Sequence, residues 1–369
     1  MATIGDTAAP STNTIYYDSL LSTTLMAYRK TLVDNIFKES AFLAAIRDKG
    51  GVQKQNGGER IALPLMYGKN ETVKSYSDYD VLDTTPQDGL TTAFYDWREI
   101  AGTISISRKE ERQNSGEGRL INLLESKIKQ AEMSMREVLN TQLLQGTLSG
   151  TTFVPGNSAK DLNPLGWFLR KDNNTDPTTG GNVGNIAGAT YDWWRHRTAV
   201  ADSGSADTGN SFALSVSTYA GLKVALRRMM NYCSRGSGGA PNLVVSNQET
   251  FESYENSLDT NVRYTDTRMA DMGFDAIKLR GATVIWDELV PGIDDGALAA
   301  ASTDGTAFFL NTNFYKLAID SETDIITTPF IEPENQTAKT AKILFMGNAC
   351  ASNLRKLGVL YGISKTITS

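Results

Sequence analysis

The sequence predicts an α+β fold, and three patterns support that prediction. A helical period of 3.6 residues runs from Glu117 to Gln145. A period of two, typical of strands, recurs between residues 52 and 110, and helical patterns alternate with short apolar runs between residues 212 and 350. The 369 residues, of which 40 % are hydrophobic, suffice for two or three lobes or for one elaborated domain with a real core.

The first 50 residues predict an arm followed by helices. Residues 1–14 are rich in Thr, Ala and Ser and show no apolar periodicity, so we expect a flexible arm. A helical pattern then runs from Tyr16 to Ile46, and a short second helix around Ala41 to Arg47 ends before Gly50-Gly51. Acidic and basic residues balance here, which argues against a nucleic-acid-binding tail.

Two alternating stretches predict a long two-stranded arm. The first covers Ile61 to Tyr67, the second covers Phe94 to Ser107, and a polar, turn-rich connection from Gly68 to Leu90 joins them. Pro64 has no amide donor, which places its strand at a sheet edge or beside a bulge. Isolated hairpins are marginal in water, so we expect this arm to lean on a partner.

The clearest helix prediction covers Glu117 to Gln145, a length of roughly 43 Å at 1.5 Å per residue. Asn114 and Glu117 have the spacing of a capping box, and Gly146 follows the last periodic residue. Polar residues occupy the opposite face, so one side should pack and the other should meet water.

A loop and a mixed lobe follow the long helix. Residues 146–190 are rich in Gly, Thr, Asn and Pro, with Trp167 and Phe168 as expected anchors, and a loop of this length often serves binding or assembly. Helices are predicted at Leu214–Tyr232 and Glu249–Leu258. Strands are predicted at the apolar runs Leu243–Val245, Ala282–Trp286, Ala307–Leu310 and Ala341–Met346. Such interleaving fits an α+β or an α/β lobe with a central sheet.

Composition excludes several classes of protein. No apolar run is long enough to span a membrane, and residues 1–6 lack a signal-peptide pattern, so we expect a cytosolic origin. Cys233 and Cys350 are the only cysteines, too few for a disulfide framework or a four-thiolate zinc site. His196 is the only histidine, which excludes sites that need several. A net charge of −6 argues against tight nucleic-acid binding as the primary role.

The residues with chemical potential favour structural roles. His196, within Trp193-Trp194-Arg195-His196-Arg197, would serve as a base or a pH switch, but a partly buried histidine packed on the tryptophans explains it better. Cys233 lies near Arg235, which would lower its pKa, yet it lacks an obvious resolving partner and is interpreted as structural.

Two acidic stretches resemble calcium ligands only superficially. Asp320-Ser321-Glu322-Thr323-Asp324 lacks the glycine and the terminal glutamate of an EF loop, and Asp78, Asp80 and Asp83 are likewise interpreted as part of a plain acidic turn. No phosphate-binding glycine loop or nucleophile elbow is present. We therefore predict no catalytic, cofactor-binding or metal site and no cofactor. A carboxylate pair for glycoside cleavage stays open, because its members need not be neighbours in sequence.

Charge is uneven near the end of the chain. Residues 291–340 contain eight acidic and two basic residues, whereas residues 341–369 contain only basic ones: Lys342, Arg355, Lys356 and Lys365. We interpret both stretches as solvated faces.

The order of arm, amphipathic helix, two-stranded arm, long helix and mixed lobe resembles the major capsid proteins of tailed bacteriophages, which have the Hong Kong ninety-seven type of fold. The resemblance covers most of the chain beyond residue 15 and depends on the number and order of short motifs. They are Leu32-Val33-Asp34-Asn35-Ile36-Phe37, Pro64-Leu65-Met66-Tyr67-Gly68, Thr85-Pro86-Gln87-Asp88-Gly89, Ile104-Ser105-Ile106-Ser107, Lys127-Ile128-Lys129-Gln130-Ala131-Glu132, Arg263-Tyr264-Thr265-Asp266, Met269-Ala270-Asp271, Thr328-Pro329-Phe330, Pro333-Glu334-Asn335-Gln336 and Gly358-Val359-Leu360.

The resemblance implies a domain organisation. Residues 1–50 would be the N-terminal arm and helix, and residues 51–114 the extended loop that overlaps a neighbouring subunit. Residues 115–190 would be the peripheral domain with its spine helix, residues 191–320 the axial domain, and residues 321–369 the return to the peripheral domain.

The resemblance also implies function and partners. The chain would be a structural protein, not an enzyme, that builds hexamers and pentamers of an icosahedral head around double-stranded DNA. It would reside in the virion capsid after assembly in the host bacterial cytoplasm, with no membrane contact. Its partners would be itself, a separate scaffolding protein (unless the chain is already trimmed), a portal, a cement protein, and DNA through weak non-specific contacts. Some members crosslink lysine to asparagine; Lys69, Lys74 and Asn70 lie in the corresponding loop, and no crosslink site is assigned.

Two alternatives stay open. The first is an encapsulin-like bacterial nanocompartment shell, against which the 51–114 hairpin region argues, because those proteins tend to have a shorter one. The second is an enzyme with carboxylate chemistry in the sheet lobe. The charge of residues 341–369 also suggests that Arg355 and Lys365 face the lumen of a shell.

Overall fold

The computed structural model describes residues 40–113, 123–149, 152–156, 160–170, 182–201, 212–213, 216–258, 276–293, 304–332, 338–364 and 367. These residues belong to two compact units. The described part of the smaller unit comes from Gly102–Ser134 and Thr327–Ile343, and that of the larger unit comes from Glu39–Ala101, Met135–Ile326 and Leu344–Ser369.

Helices and strands mix throughout the described chain, which confirms the α+β prediction. The helices are α1 Ala41–Asp48, α2 Arg108–Gln113, α3 Leu123–Leu144, α4 Leu165–Phe168, α5 Tyr219–Ser234 and α6 Gln248–Asn256, with 3₁₀ turns at Asp192–Trp194 and Leu354–Lys356. The strands are β1 Val52–Gln55, β2 Ile61–Met66, β3 Leu90–Tyr95, β4 Arg98–Ser107, β5 Thr147–Ser149, β6 Thr152–Val154, β7 Arg197–Val200, β8 Phe212–Ala213, β9 Leu243–Ser246, β10 Ile277–Leu279, β11 Ala282–Trp286, β12 Gly305–Leu310, β13 Tyr315–Asp320, β14 Ile326–Thr327, β15 Ala338–Ala351 and β16 Gly358–Ile363.

A seven-stranded mixed sheet forms the core of the larger unit, with the order β10-β11-β9-β12-β16-β7-β8. Every residue of β9, β12 and β16 is buried. Strands covered on both faces read as continuous apolar runs instead of alternating ones. This burial explains why short apolar runs correctly predicted β9, β11 and β12.

Helix α5 covers this sheet with one apolar stripe. Its buried residues recur every three or four positions: Leu222, Ala225, Leu226, Met229, Met230 and Cys233. The hydroxyl of Thr218 caps the first turn by accepting from the Gly221 amide at 3.2 Å. The helices predicted at Leu214–Tyr232 and Glu249–Leu258 are therefore confirmed as α5 and α6, with shifted bounds.

A five-stranded sheet has the path β1-β13-β15-β14, and β15 also pairs with β4. In the larger unit, β1 runs parallel to β13, with Val52 beside Leu317, and β13 runs antiparallel to β15, with Tyr315 beside Ala351. In the smaller unit, the Thr328 amide donates to the Lys342 carbonyl at 2.8 Å, and Ile331 pairs with Thr340. Strand β15 confirms and extends the strand predicted at Ala341–Met346.

The predicted helix boundaries hold where the structure describes them. The Ser40 hydroxyl caps α1 at the Leu43 amide, and α1 ends before Gly50, whose φ is +68°. Helix α3 ends at Leu144, and Gly146 adopts φ +55°, as its place after the periodic residues predicted. The pattern from Tyr16 and the capping box at Asn114 and Glu117 lie outside the described residues.

The predicted long two-stranded arm is wrong in its pairing. Strand β2 pairs with β3 over six residues each, from Ile61 beside Tyr95 to Met66 beside Leu90. The rest of the second alternating stretch is a separate strand, β4, which pairs with β15. The ladder ends at the pair of Ile61 and Tyr95, and the Asn348 side chain donates to the next carbonyl, that of Asp96, at 2.7 Å. The edge position expected from Pro64 is confirmed, since β2 and β3 form a two-stranded sheet.

The region 146–190 has more order than the sequence suggested. Strands β5 and β6 form a short hairpin, and α4 brings Phe168 into the core. The Phe168 ring lies 6.1 Å from the Tyr95 ring and 5.6 Å from the Tyr315 ring, so the expected anchor at Phe168 is confirmed.

The basic stretch 341–369 is not wholly solvated, which corrects the expectation for Lys356. This side chain is buried, and its ammonium donates to the carbonyls of Ser234, Arg235 and Gly236 at 3.3, 3.0 and 3.2 Å. A buried ammonium needs such acceptors because desolvation is costly. Arg355, one residue earlier, is exposed as expected, and Lys365 lies outside the described residues.

Gly347 on β15 is required by close packing against β13. A Cβ at this position would lie 2.7 Å from the Ala318 carbonyl oxygen and 3.0 Å from the Phe345 ring. We expect Gly347→Ala to lower the free energy of unfolding by about 1–3 kcal/mol, because the backbone of a paired strand must shift to relieve the overlap. Urea denaturation measures this change. Lys342→Ala, at an exposed position of the same strand, is the control and should change stability by less than about 0.5 kcal/mol; equal effects would contradict the packing argument.

Candidate functional site

The hairpin of β2 and β3 belongs to the larger unit. One of its faces packs against the rest of that unit, and the other is exposed to solvent. Its register places Ile61, Leu65, Ala93 and Tyr95 on the inward face, and all four are buried. The outward face carries Ala62, Pro64, Met66, Leu90 and Phe94, together with Thr92. Strands normally alternate apolar and polar residues when one face meets water, but this hairpin is largely apolar on both faces.

The outward face and the connection between its two strands together carry most of the exposed apolar side chains of the described residues. Met66 and Leu90 pair directly across the hairpin and are 81 % and 68 % exposed. Of the thirteen large hydrophobic side chains that are exposed among the described residues, nine lie between Met66 and Phe94. Clustering of this kind marks an interaction surface, whereas single exposed apolar residues need no explanation.

Hydrogen bonds tie the base of the hairpin to the rest of the larger unit. The Tyr95 hydroxyl donates to the Ala351 carbonyl at 2.7 Å, and the Phe94 amide donates to the Gly184 carbonyl at 3.1 Å. Gly184 has φ +61°, and a Cβ there would lie 2.9 Å from the Ala93 Cβ. Only glycine allows this approach, so the backbone contact depends on residue type.

An aromatic stack supports the hairpin further along. The Tyr67 ring lies parallel to the Trp193 ring, with centroids 5.0 Å apart and planes 16° apart. Trp193 in turn meets the edge of Trp194, whose indole nitrogen donates to the Val183 carbonyl at 2.8 Å. The Trp193-Trp194 pair therefore supports the hairpin, a role that its sequence pattern did not reveal.

The hairpin narrows at Gly68 and Gly89. The Tyr67 amide donates to the Gly89 carbonyl at 2.9 Å, and a Cβ on Gly68 would lie 3.1 Å from the Gly89 Cα. Beyond this neck, residues 69–88 form the tip of the hairpin.

The tip has only short local turns. The Asn70 carboxamide oxygen accepts from the Thr72 amide at 2.9 Å, the Asp80 carboxylate accepts from the Ser77 amide at 2.9 Å, and Asp83 accepts from the Thr85 amide at 3.0 Å. No residue of the tip is buried, and Tyr79 is 99 % exposed. A segment that buries nothing within its own subunit needs outside contacts to be ordered.

The tip is acidic, with five carboxylates and two lysines among its twenty residues. Asp80 and Asp83 accept hydrogen bonds from neighbouring backbone amides, as side chains in acidic turns do. Among the described residues, no cluster of three or more acidic, histidine or cysteine side chains would hold a metal ion.

His196 is completely buried. Its Nε2 lies 2.6 Å from the Arg170 carbonyl oxygen, so this nitrogen carries the proton and donates it. Burial lowers the pKa of His196 to about 3. A neutral, inaccessible imidazole of this kind does not serve as a base near pH 7, and the structural interpretation is supported, with deeper burial than the sequence suggested.

The other candidate residues also have structural roles. Burial raises the pKa of Cys233 to about 12 and that of Cys350 to about 12, the opposite of activation. In the acidic stretch 320–324, Asp320 accepts from the Gly57 amide at 3.2 Å and from the Thr323 hydroxyl at 3.0 Å, and Asp324 pairs with Lys54 at 3.1 Å. These carboxylates stabilise a turn. Among the described helices, none combines the length and apolar character needed to cross a bilayer.

Solved structures share this arrangement, although no protein-family model and no curated protein matches the sequence. The cyanophage A-1(L) capsid asymmetric unit aligns with a TM-score of 0.65 at 14 % identity, over 90 % of this chain and 95 % of that one. The protein has the major capsid fold. The capsid of the native GTA particle supports the same assignment, with a TM-score of 0.53 at 13 % identity over 90 % and 93 % of the two chains.

The major capsid fold also occurs in an encapsulin. The holo-SrpI encapsulin complex from Synechococcus elongatus PCC 7942 aligns with a TM-score of 0.50 at 8 % identity, over 93 % of this chain and 96 % of that one. The cyanophage capsid chain is the better match of the two. The resemblance seen in the short motifs of the sequence is thus confirmed as a shared fold of the Hong Kong ninety-seven type.

Burial of His196 predicts acid-sensitive stability. The pKa of His196 is about 3 in the folded protein and 6.5 ordinarily. Between these two pH values the unfolded chain binds a proton at His196 and the folded chain does not. Stability from this group is therefore complete above pH 6.5 and is lost as pH falls toward about 3, at about 1.4 kcal/mol per pH unit. Because His196 is the only histidine, its imidazole NMR signal is unambiguous and should not titrate between pH 7 and pH 5.

A matched variant isolates this contribution. His196→Gln retains a donor for the Arg170 carbonyl but does not titrate, so it should lose about 2 kcal/mol less than the wild type between pH 7 and pH 5. A histidine signal that titrates near pH 6.5 in the folded protein would contradict the burial argument.

Proposed function

We propose that this protein is a structural major capsid protein that assembles, as hexamers and pentamers, into the icosahedral head of a tailed phage around double-stranded DNA. The observation that carries the proposal is the hairpin. It belongs to a chain with the major capsid fold, and its outward face and tip offer apolar side chains that find no cover among the described residues of their own subunit.

Energetics supports a role in assembly. Covering an exposed Met or Leu side chain contributes about 1.5–3 kcal/mol. One hairpin would give a modest interface, but closed symmetry repeats that interface in every subunit. The order of the elements supports the roles of residues 51–114 as extended loop, 115–190 and 321–369 as peripheral domain and 191–320 as axial domain.

The remaining partners follow from this role. A head that packages DNA uses a portal and, where the chain carries no scaffold of its own, a separate scaffolding protein; a cement protein would bind the finished shell. Assembly would occur in the host bacterial cytoplasm and the product would be the virion capsid. The net charge of −6 supports weak, non-specific contact with the packaged DNA.

A nanocompartment is the second candidate, and it rests on the similarity to the SrpI encapsulin, which is weaker than the similarity to the cyanophage capsid chain. The two functions share a shell and differ in content. Negative-stain electron microscopy of the purified protein, beside its light-scattering mass, tests both: closed shells, tubes or free hexamers and pentamers support a capsid role. A small species that stays small with a co-expressed scaffolding protein would overturn it, and protein cargo instead of DNA would favour the compartment.

The outward face gives the sharpest mutational test. We expect Met66→Ser/Leu90→Ser to raise the protein concentration needed for assembly at least about tenfold, because each subunit loses burial of two apolar side chains. Unfolding free energy should stay within about 0.5 kcal/mol, since both side chains are exposed in the subunit. Light scattering against concentration measures the first and urea denaturation the second.

The matched control exchanges the two residues. Met66→Leu/Leu90→Met keeps the face apolar with almost the same volume and should assemble like the wild type. If the serine variant assembles at the wild-type concentration, the outward face is not part of the interface.

A further inference from the structure

A group of arginines surrounds Tyr232 at the end of α5. The Arg235 guanidinium lies 4.1 Å from the centre of the Tyr232 ring, and the Arg197 guanidinium lies 5.2 Å from it. Arg355 joins them, because the Arg197 amide donates to the Leu357 carbonyl at 3.0 Å and Arg197 pairs with Gly358, three residues beyond Arg355. The three arginines come from β7, the end of α5 and the 3₁₀ turn before β16.

These arginines have no acidic partner among the described residues. The ion pairs of the described chain involve other side chains. Burial, followed by the positive charge of Arg355, lowers the pKa of Arg197, and the charge of Arg235 acts in the same direction. The Arg197 Nε is buried with no hydrogen-bond partner in the described residues. A buried donor without an acceptor is costly, so an acceptor supplied by a ligand would be favourable here.

Lys356 adds a fourth positive charge, and its side chain is held in place, so this charge stays close to the arginines. Its ammonium is fixed by the carbonyls of Ser234, Arg235 and Gly236, so it stays beneath the arginines. Gly236 and Gly239, in the same loop, have open space where a side chain would be. Arg235 and Arg355 are exposed, so the cluster is accessible from solvent.

Helix α5 extends the positive surface. It carries Lys223, Arg227 and Arg228, all exposed, and contains no acidic residue. Arg235 follows the last residue of this helix.

We propose that Arg197, Arg235 and Arg355 form a binding site for a phosphate group, beside the ring of Tyr232. The planar fork of an arginine matches two phosphate oxygens, and the open loop at Gly236 and Gly239 leaves room for the ligand. The phosphate comes either from the backbone of double-stranded DNA or from a free polyphosphate. The DNA source rests on the proposed function, whereas the free source does not.

The experiment compares two probes on full-length protein. Binding of a 30-base-pair DNA duplex is measured as a function of salt, and binding of inorganic tripolyphosphate is measured by the rise in melting temperature. Arg235→Ala/Arg355→Ala removes two exposed guanidinium groups and should fold normally. The control, Arg47→Ala/Arg136→Ala, removes two exposed arginines elsewhere in the larger unit.

We expect the cluster variant to reduce the slope of log K against log salt by about 1, since the cluster holds one phosphate and each phosphate contact contributes about 0.9. The control should leave the slope unchanged. Loss of duplex binding, with or without loss of tripolyphosphate binding, identifies DNA phosphate as a ligand. Loss of tripolyphosphate binding alone, with duplex binding unchanged, identifies a free polyphosphate. If the wild type binds neither probe, or if the cluster variant matches the wild type with both, the proposal is overturned.

Two further measurements separate this result from shell formation. Arg197→Lys keeps the charge but loses the fork, so it should retain the salt slope and lose most tripolyphosphate binding. Electron microscopy of the same samples reports assembly independently, so a protein that binds tripolyphosphate without forming shells keeps the phosphate site and contradicts only the proposed function.

Discussion

The hydrogen bond from Tyr95 to the Ala351 carbonyl is the contact on which the hairpin depends. It joins β3 to the end of β15, and the Tyr95 ring also packs beside Phe168, which in turn meets Tyr315 on β13. Burial raises the pKa of Tyr95, so its hydroxyl stays protonated and remains a donor at any ordinary pH. One side chain thus connects the hairpin, α4 and the sheet of β13 and β15, and it fixes where the hairpin leaves the subunit.

The hairpin is fixed at its base, while its outward face and tip are exposed. Together these two features lower the entropic cost of binding a neighbour. A hairpin that moved freely would lose backbone and side-chain entropy at each new contact, at about 1–2 kcal/mol per residue fixed. Because the stack of Tyr67 on Trp193 and the neck at Gly68 and Gly89 already order residues 61–68 and 89–95, that cost falls mainly on the tip. The outward face is then available to a neighbour at low entropic cost, as preorganised surfaces are.

Local patterns in the sequence predicted many of the helices and strands, but they did not reveal contacts between residues far apart in the chain. Buried runs such as Leu243–Val245 and the stripe of α5 are visible in sequence because burial imposes hydrophobic periodicity. The wrong pairing of the arm arose because Phe94–Ser107 alternates without a visible break, whereas the structure divides this stretch between β3 and β4, where Asn348, far away in the chain, donates to the Asp96 carbonyl. Strands β13 and β16 were not predicted, although every residue of β16 is buried. The burial of Lys356 depends on carbonyls about 120 positions earlier, which no local pattern reveals. The structural interpretation of His196, Cys233 and Cys350 agrees with their burial, and the absence of a catalytic site stays a prediction.

The distribution of charge in the larger unit favours contacts that act only at short range. The tip is acidic and the chain carries −6 overall, whereas the cluster at Tyr232 concentrates positive charge around one aromatic ring. At physiological salt, fields between exposed charges fade over about 8 Å, so a phosphate would feel these arginines only near contact. Beyond that distance the net negative charge of the protein opposes the approach of nucleic acid. A surface with this balance would bind a polyanion at the arginine cluster and repel it elsewhere, which is what the proposed capsid role requires.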